Sequence, residues 1–172
     1  MGKRSNFERV PRDFYPTPYE AVIPLIPFVL NSSFYEPCCG DGRLSDHLVE
    51  NRLTCVGESD LAPGRKNQIT LDAMKLEDFD LRDADYIITN PPWDRKILHP
   101  MIDHFRKLRP TWLLFDSDWM HTKQSHELIR YCSDIVSVGR LKWIPDSKMT
   151  GKDNCCWYKF LDRECETKFH GR

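Results

Sequence analysis

Short apolar runs that alternate with helical patterns constrain the fold of this chain more than any other feature of its sequence. Predicted strands cover residues 33–35, 54–57, 69–71, 86–89, 112–115, 135–143 and 155–160. Predicted helices cover residues 19–30, 43–51, 97–108 and 124–132, and Pro24 and Pro27 would kink or shorten the first of them. Such alternation is typical of an α/β domain with a largely parallel sheet, in which we expect the last two strands to form a closing hairpin.

The length and composition indicate one ordinary globular domain. A chain of 172 residues with neither an internal repeat nor a linker predicts a single domain over residues 1–172, without a separate recognition domain. No apolar stretch approaches the ~20 residues that span a bilayer, and the charged start lacks the apolar segment of a secretory signal. We therefore expect a cytoplasmic protein with no membrane partner.

The cysteines and the net charge argue against two further classes of protein: those built on disulfides or zinc, and those that coat nucleic acid. Seven cysteines, four of them in adjacent pairs, fit neither a disulfide framework nor a zinc site, because Cys-x-x-Cys and His-x-x-x-His are absent. We expect reduced thiols and no metal. A net charge of −1 argues against a protein that coats nucleic acid by bulk electrostatics. Local basic clusters nevertheless permit a basic face.

A glycine loop follows the first predicted strand, at residues 36–42. In open α/β sheets ligands bind outside the carboxyl ends of the strands, and Gly40 and Gly42 allow the backbone to approach a ligand closely. A dinucleotide fingerprint would require a third glycine where Ser45 stands. Glu36 and Asp41 would repel phosphates but attract the amino group of a methionine moiety. These residues favour S-adenosylmethionine as the ligand.

An acidic residue also follows the second predicted strand. A carboxylate at this position can accept hydrogen bonds from ribose hydroxyls, as in other nucleoside-binding sheets. Asp60 is our choice for this role, with Glu58 as the rival. Either residue could instead be an ordinary surface charge.

The run Asn90-Pro91-Pro92-Trp93 follows the fourth predicted strand and is the most specific motif in the chain. Two prolines end the strand's hydrogen-bond ladder and fix the backbone. Asn90 and the Pro91 carbonyl are neutral acceptors that could hold the two hydrogens of an exocyclic amine and favour a pyramidal nitrogen ready for attack. Trp93 could stack on an extruded base. A proline turn beside a core tryptophan is the alternative.

These motifs resemble those of class I methyltransferases that methylate amino groups, especially small phage and prophage DNA adenine-N6 methyltransferases. The resemblance implies a Rossmann-like fold with a seven-stranded, mostly parallel sheet, one antiparallel closing strand and helices on both faces. It implies a catalytic motif at Asn90, Pro91, Pro92 and Trp93. Residues 13–18 resemble the motif that closes over the methionine end of the cofactor. The implied cofactor-binding residues are Phe14, Tyr15, Thr17, Glu36, Pro37, Cys38, Gly40, Asp41, Gly42, Asp60, Asp72 and Asn90.

Individual roles follow from the same resemblance. Glu36 is expected near the cofactor's amino group, Asp60 at its ribose, and Asp72 at its adenine amine. The predicted activity is methyl transfer to adenine N6 in DNA, in the host cytoplasm if the chain is phage-encoded. Apart from the resemblance, local positive charge suggests contacts with nucleic acid at Lys96, Arg140, Lys142, Lys148 and Lys152, and ordinary surface charges are the alternative.

Other interpretations stay open from the sequence. An RNA adenine methyltransferase and a protein glutamine methyltransferase share this chemistry and differ in the acceptor. A nucleic-acid-binding module that keeps a cofactor pocket without turnover is the alternative from a different class. A homodimer could replace the recognition domain that the chain lacks.

Overall fold

A single mixed sheet organises the computed structural model, which describes residues 15–144, 151 and 153–172. Its strands are β1 (Ser33–Glu36), β2 (Thr54–Asp60), β3 (Ile69–Thr70), β4 (Tyr86–Thr89), β5 (Thr111–Asp116), β6 (Cys132–Arg140), β7 (Asn154–Phe160) and β8 (Lys168–His170). The strand order is β3-β2-β1-β4-β5-β7-β6-β8. Strand β7 runs antiparallel to β5 and β6, and every other pairing is parallel.

Helices cover both faces of the sheet. They are α1 (Tyr19–Val22), α2 (Ile26–Val29), α3 (Arg43–Glu50), α4 (Arg95–Leu108) and α5 (His126–Ile129). Buried side chains of α1, α2 and α3 belong to one hydrophobic cluster, whereas those of α4 belong to the other. The predicted Rossmann-like α/β fold, with one antiparallel strand and helices on both faces, is confirmed.

Successive side chains of the central strands point to opposite faces of the sheet and so pack into different hydrophobic clusters. In β4, Ile87 packs into the cluster on the α4 side and Ile88 into the cluster on the α3 side, and both are fully buried. In β5, Leu113 and Leu114 divide in the same way. Because successive side chains of a strand point to opposite faces, apolar runs without alternation predict strands that are buried on both faces.

The predicted count of seven strands was too low, because the sheet has an eighth strand. Strand β8 adds to the free edge of β6, with Asp134 opposite Lys168 and Val136 opposite His170. Two of its three residues are exposed, so its sequence carries no apolar pattern that could have predicted it. Other strand predictions differ at their ends, and the strand predicted at 54–57 extends to Asp60. The strand predicted at 69–71 ends at Thr70, and the one predicted at 135–143 spans Cys132–Arg140.

Two predicted helices are shorter or interrupted. The helix predicted over residues 19–30 is divided into α1 and α2 by a turn at Pro24, whose ring nitrogen cannot donate to the helical ladder. Of the helix predicted over residues 124–132, only α5 is α-helical, and a 3₁₀ turn at Lys123–Ser125 precedes it. Helix α4 begins two residues before the predicted start, because the Asp94 side chain caps it by accepting from the Lys96 amide at 3.0 Å.

Each of the seven cysteines is a free thiol. Among the described residues, no cluster of three or more His, Cys, Asp or Glu side chains could hold a metal ion. Within the same part of the chain, every helix is too short or too polar to cross a membrane.

Candidate active site

A cleft lies at the point where the strand order reverses, outside the carboxyl ends of β1, β2 and β4. Strand β1 pairs with β2 on one side and β4 on the other, so Glu36, Asp60 and Asn90 end or follow neighbouring strands. This is the place where ligands bind in doubly wound sheets. The cleft is lined by Tyr15, Pro16, Thr17, Glu36, Cys38, Cys39, Gly40, Asp41, Leu44, Asp60, Asn90 and Pro92.

The glycine loop turns sharply between β1 and α3. Gly40 has a φ of 51° and Gly42 a φ of 76°, a left-handed conformation that glycine adopts without strain. The Asp60 carboxylate holds this loop, because its Oδ2 accepts from the Gly40 amide at 2.9 Å and its Oδ1 from the Ala62 amide at 2.8 Å. A carboxylate has about four acceptor positions, so Asp60 keeps capacity for further donors.

Glu36 is a buried carboxyl at the floor of the cleft, with 1% of its surface exposed. Its Oε2 accepts a hydrogen bond from the Ser45 hydroxyl at 2.5 Å. Burial raises the pKa of Glu36 well above its ordinary value, the Ser45 bond opposes the shift, and the nearby charge of Glu58 adds to it. Because burial penalises the lone negative charge, a cationic group in the cleft would favour the ionised form.

Cys38 also lines the cleft, and its thiol stays protonated. Burial raises the pKa of this thiol, and the negative charges of Asp60 and Glu36 raise it further. Since the thiolate is the reactive form of cysteine, Cys38 contributes no nucleophile. The environment of Cys38 therefore favours binding over covalent catalysis.

Asn90 follows β4, which pairs with β1, and it lines the cleft together with the glycine loop. Its Nδ2 donates to the Thr17 hydroxyl at 3.2 Å and to the Tyr15 carbonyl at 3.4 Å, while its Oδ1 accepts from the Trp93 indole at 3.2 Å. Among the described residues, no backbone donor bonds to the Pro91 carbonyl. Asn90 and Pro91 thus offer two acceptors at the end of β4.

Trp93 is half-buried, and its ring meets that of Trp143 edge to face at 5.6 Å between centroids. Trp143 also lies 6.2 Å from the ring of Tyr15. The Trp93 indole N–H points inward to Asn90 and to the Leu114 carbonyl, at 3.2 and 3.1 Å. The three rings form an aromatic cluster beside the cleft, and stacking of Trp93 on a base stays a prediction.

Basic side chains lie at the same edge of the sheet as the cleft. Lys96 is exposed at the start of α4, and Arg140 and Lys142 are exposed at and after the carboxyl end of β6. Arg172 joins them, because β8 runs parallel to β6 and carries its guanidinium to Gly139. A Cβ on Gly139 would lie 2.7 Å from the Arg172 Nη1, so the arginine side chain would have to move, and the φ of 88° at Gly139 is itself a left-handed conformation that favours glycine.

Several predicted residues do not line the cleft. The Asp72 side chain accepts from the Met74 amide at 3.0 Å and caps a 3₁₀ turn. Residues of the predicted set that lie beside the cleft without lining it are Pro37, Gly42, Asp72, Pro91 and Trp93. Phe14, Lys148 and Lys152 lie outside the described residues.

Sequence reasoning missed some cleft residues and Glu36's partner. The missed lining residues are Pro16, Cys39 and Leu44. Ser45, which donates to Glu36, occupies the position of the absent third glycine. Ser45 lies near the start of α3, and a small polar residue at that position could have indicated a hydrogen-bond partner for the buried Glu36 carboxyl.

Comparisons with known proteins identify the fold. No protein-family model and no curated protein matches the sequence. A Pyrococcus horikoshii protein with a provisional RNA methyltransferase assignment superposes with a TM-score of 0.58 at 13% identity, covering 90% of this chain and 88% of its own. A TehB-like SAM-dependent methyltransferase from Corynebacterium glutamicum superposes with a TM-score of 0.50 at 11% identity, covering 83% and 87%.

A third similar structure limits what the fold implies. A Lactococcus lactis protein with a provisional hemolysin assignment superposes with a TM-score of 0.63 at 7% identity, covering 90% of this chain and 91% of its own. At such identities the likeness shows the fold alone, and function has to be argued from the site. The chain has the Rossmann-like fold of class I methyltransferases.

Proposed function

We propose that this protein transfers a methyl group from S-adenosylmethionine to the exocyclic N6 amine of adenine in DNA. One observation carries the proposal: the buried carboxyl of Glu36 and the carboxamide of Asn90 line the same cleft, from β1 and β4 on either side of the strand reversal. The Glu36 carboxyl suits a cationic cofactor, and the Asn90 carboxamide suits a planar amine.

The cleft fits S-adenosylmethionine better than a phosphate-bearing nucleotide. Asp41 and Asp60 place two carboxylates beside the glycine loop, where they would repel a pyrophosphate, and a cation rather than an anion would favour the ionised form of the buried Glu36. Glu36 would hold the amino group of the methionine moiety, and Asp60 the ribose hydroxyls. Tyr15 and Thr17 would cover the methionine end, and Asp72 would reach the adenine amine if its side chain leaves the Met74 amide. When bound, S-adenosylmethionine supplies an electrophilic methyl group.

The residues at the end of β4 would present the acceptor. The Asn90 Oδ1 and the Pro91 carbonyl would each accept one hydrogen of the amine, which would localise the nitrogen lone pair for in-line attack on the methyl carbon. As the N–C bond formed, the S–C bond would break, S-adenosylhomocysteine would leave as a neutral thioether, and the nitrogen would lose one proton to solvent. Pro92 stiffens the turn, and Trp93 supports the extruded base with its exposed part. Burial raises the pKa of Cys38, which disfavours a thiolate nucleophile in the cleft and is consistent with direct transfer.

Nucleic acid is the acceptor class that the surface around the cleft supports. Lys96, Arg140, Lys142 and Arg172 lie at the cleft's edge of the sheet, where they would contact phosphates. Preference for DNA rests on the resemblance of the motifs to phage-type DNA methyltransferases. RNA adenine methylation is the second candidate, because one structural neighbour carries an RNA methyltransferase assignment.

Transfer from radiolabelled S-adenosylmethionine tests the proposal. The purified protein is incubated separately with adenine-containing duplex DNA, single-stranded DNA, RNA and a mixed protein fraction, and with DNA in which adenine is replaced by 2-aminopurine, which lacks the N6 amine. Label in adenine DNA, with none in the analogue, is the expected result.

Each other outcome contradicts a defined part of the proposal. Label confined to RNA would favour RNA adenine methylation, the second candidate, over DNA methylation. Label confined to protein would exclude nucleic acid as the acceptor. No label in any acceptor, while calorimetry shows that the cofactor binds, would indicate a binding module rather than an enzyme. Equal label in the analogue would place the methyl group on another atom.

A further inference from the structure

Three hydrogen bonds fix the side chain of Asn90 in one orientation. Thr17, 4% exposed, accepts from the Asn90 Nδ2 through its hydroxyl, and the Tyr15 carbonyl accepts from the same nitrogen. On the other side, the Trp93 indole N–H donates to Oδ1. The carboxamide is therefore held from both ends.

The chemistry of the partners assigns the two ends of the carboxamide independently. An indole N–H can only donate, so the Asn90 atom that faces Trp93 must be the oxygen. A backbone carbonyl can only accept, so the atom that faces Tyr15 must be the nitrogen. Both contacts give the same orientation, which removes the usual ambiguity between the oxygen and nitrogen of an asparagine.

This orientation leaves one lone pair of the Asn90 Oδ1 available for a further hydrogen bond. Both Nδ2 hydrogens are directed at Thr17 and Tyr15, and one of the two Oδ1 lone pairs is directed at Trp93. The remaining lone pair can only accept. Asn90 therefore suits an acceptor that brings hydrogens, such as an amine, and rejects one that brings a carbonyl.

Trp93 is itself anchored to the neighbouring strand. Its indole N–H is shared between Asn90 and the Leu114 carbonyl of β5, at 3.2 and 3.1 Å. The ring is wedged edge to face against Trp143. Trp93 thus joins the turn after β4 to β5 and gives the Asn90 oxygen a fixed partner.

We propose that Thr17 and Trp93 are positioning residues that lock the Asn90 carboxamide with its acceptor lone pair toward the substrate amine. This inference rests on the proposed function and deepens it. Phenylalanine at position 93 would keep the ring but remove the donor, and valine at position 17 would keep the shape but remove the acceptor. Either change removes one of the three hydrogen bonds and so weakens the preference of the carboxamide for this orientation.

Single-turnover kinetics test the two positions. Trp93→Phe and Thr17→Val are each expected to lower the rate of methyl transfer about tenfold or more at saturating cofactor and acceptor, a decrease larger than any change in the Kd of either ligand. Thr17→Ser keeps the hydroxyl and should keep the rate. Trp119→Phe is the matched control, because it removes a buried indole N–H that donates to His99 instead.

Wild-type rates in both Trp93→Phe and Thr17→Val would overturn the inference, and so would a loss of cofactor affinity that accounts for the whole decrease. A readout without turnover separates this inference from the proposed function. In ¹⁵N-labelled protein, the Trp93 indole proton should shift upfield in Asn90→Ala, because it loses one acceptor. An unchanged Trp93 resonance contradicts the lock even if the protein methylates nothing.

Discussion

At the scale of single residues, Glu36 differs from a surface carboxyl because its side chain is buried. Its raised pKa means that, without ligand, it keeps its proton at pH values where an exposed glutamate is ionised. A cation in the cleft favours the carboxylate, so binding releases a proton. Affinity for S-adenosylmethionine should rise with pH until Glu36 is ionised in the free protein and then level off.

Glu36→Gln removes the titrating group and should abolish this rise, which calorimetry across the acid and neutral range measures. The stability of the ligand-free protein has the opposite slope. As pH rises from the ordinary glutamate pKa to the raised one, the unfolded chain loses its proton first, so wild type loses stability that Glu36→Gln retains. A pH-independent affinity of the wild type would contradict the role of Glu36.

Asn90 separates chemistry from cofactor binding. Asn90→Ala removes a group that acts on the acceptor amine, so methyl transfer should fall by about 10²–10³-fold while cofactor affinity stays near wild type. Asn67→Ala, at an exposed asparagine between β2 and β3, is the matched control. Lost cofactor affinity with surviving transfer would show that Asn90 has a different role.

At the scale of elements, the start of α4 determines where the turn after Asn90 ends. Asp94 caps this helix through the Lys96 amide. Asp94→Ala should lower the free energy of unfolding by about 1 kcal/mol, whereas Asp94→Asn, which can still cap, should cost much less. Urea unfolding followed by circular dichroism measures both. Equal losses in the two variants would point to charge rather than capping.

The elements that the sequence predicted are those in which the apolar pattern decides the structure. Buried strands such as β4 and β5 and amphipathic helices such as α3 and α4 carry that pattern. Strand β8 does not, because backbone pairing with β6 holds it at an exposed edge. The division between α1 and α2 lies at Pro24, one of the two prolines expected to interrupt that helix, because its missing N–H breaks the ladder.

The sequence was also sufficient to group the main residues of the candidate site. Glu36, Asp60 and Asn90 stand at strand ends, and parallel strands bring their carboxyl ends together, so sequence order was enough to group them. Side-chain partners were not predictable, since the bonds of Asn90 to Thr17 and of Trp93 to Leu114 join residues that are distant in sequence. Arg172 likewise reaches the cleft's edge only through β8.

At the scale of the whole molecule, the basic edge should govern acceptor affinity. Arg140→Ala and Lys142→Ala each remove an exposed charge at the carboxyl edge, so DNA affinity should fall and the slope of log K against log salt should decrease by about one per charge. Cofactor affinity should not change. Lys107→Ala, at the far end of α4, removes a charge from the opposite edge and serves as the control.

Fluorescence anisotropy at several salt concentrations measures these affinities. A uniform loss in both edge variants and in Lys107→Ala would mean that binding follows net charge rather than the basic edge. Unchanged binding in Arg140→Ala and Lys142→Ala would exclude this edge as the nucleic-acid interface.

Mass spectrometry of the methylated nucleoside tests the central claim most directly. Duplex DNA is incubated with the protein and S-adenosylmethionine that carries a deuterated methyl group, and the DNA is then digested to nucleosides. We predict deuterated N6-methyldeoxyadenosine with the wild type and its near absence with Asn90→Ala. Deuterium on another nucleoside, or in no nucleoside of DNA although the cofactor binds, would contradict the account.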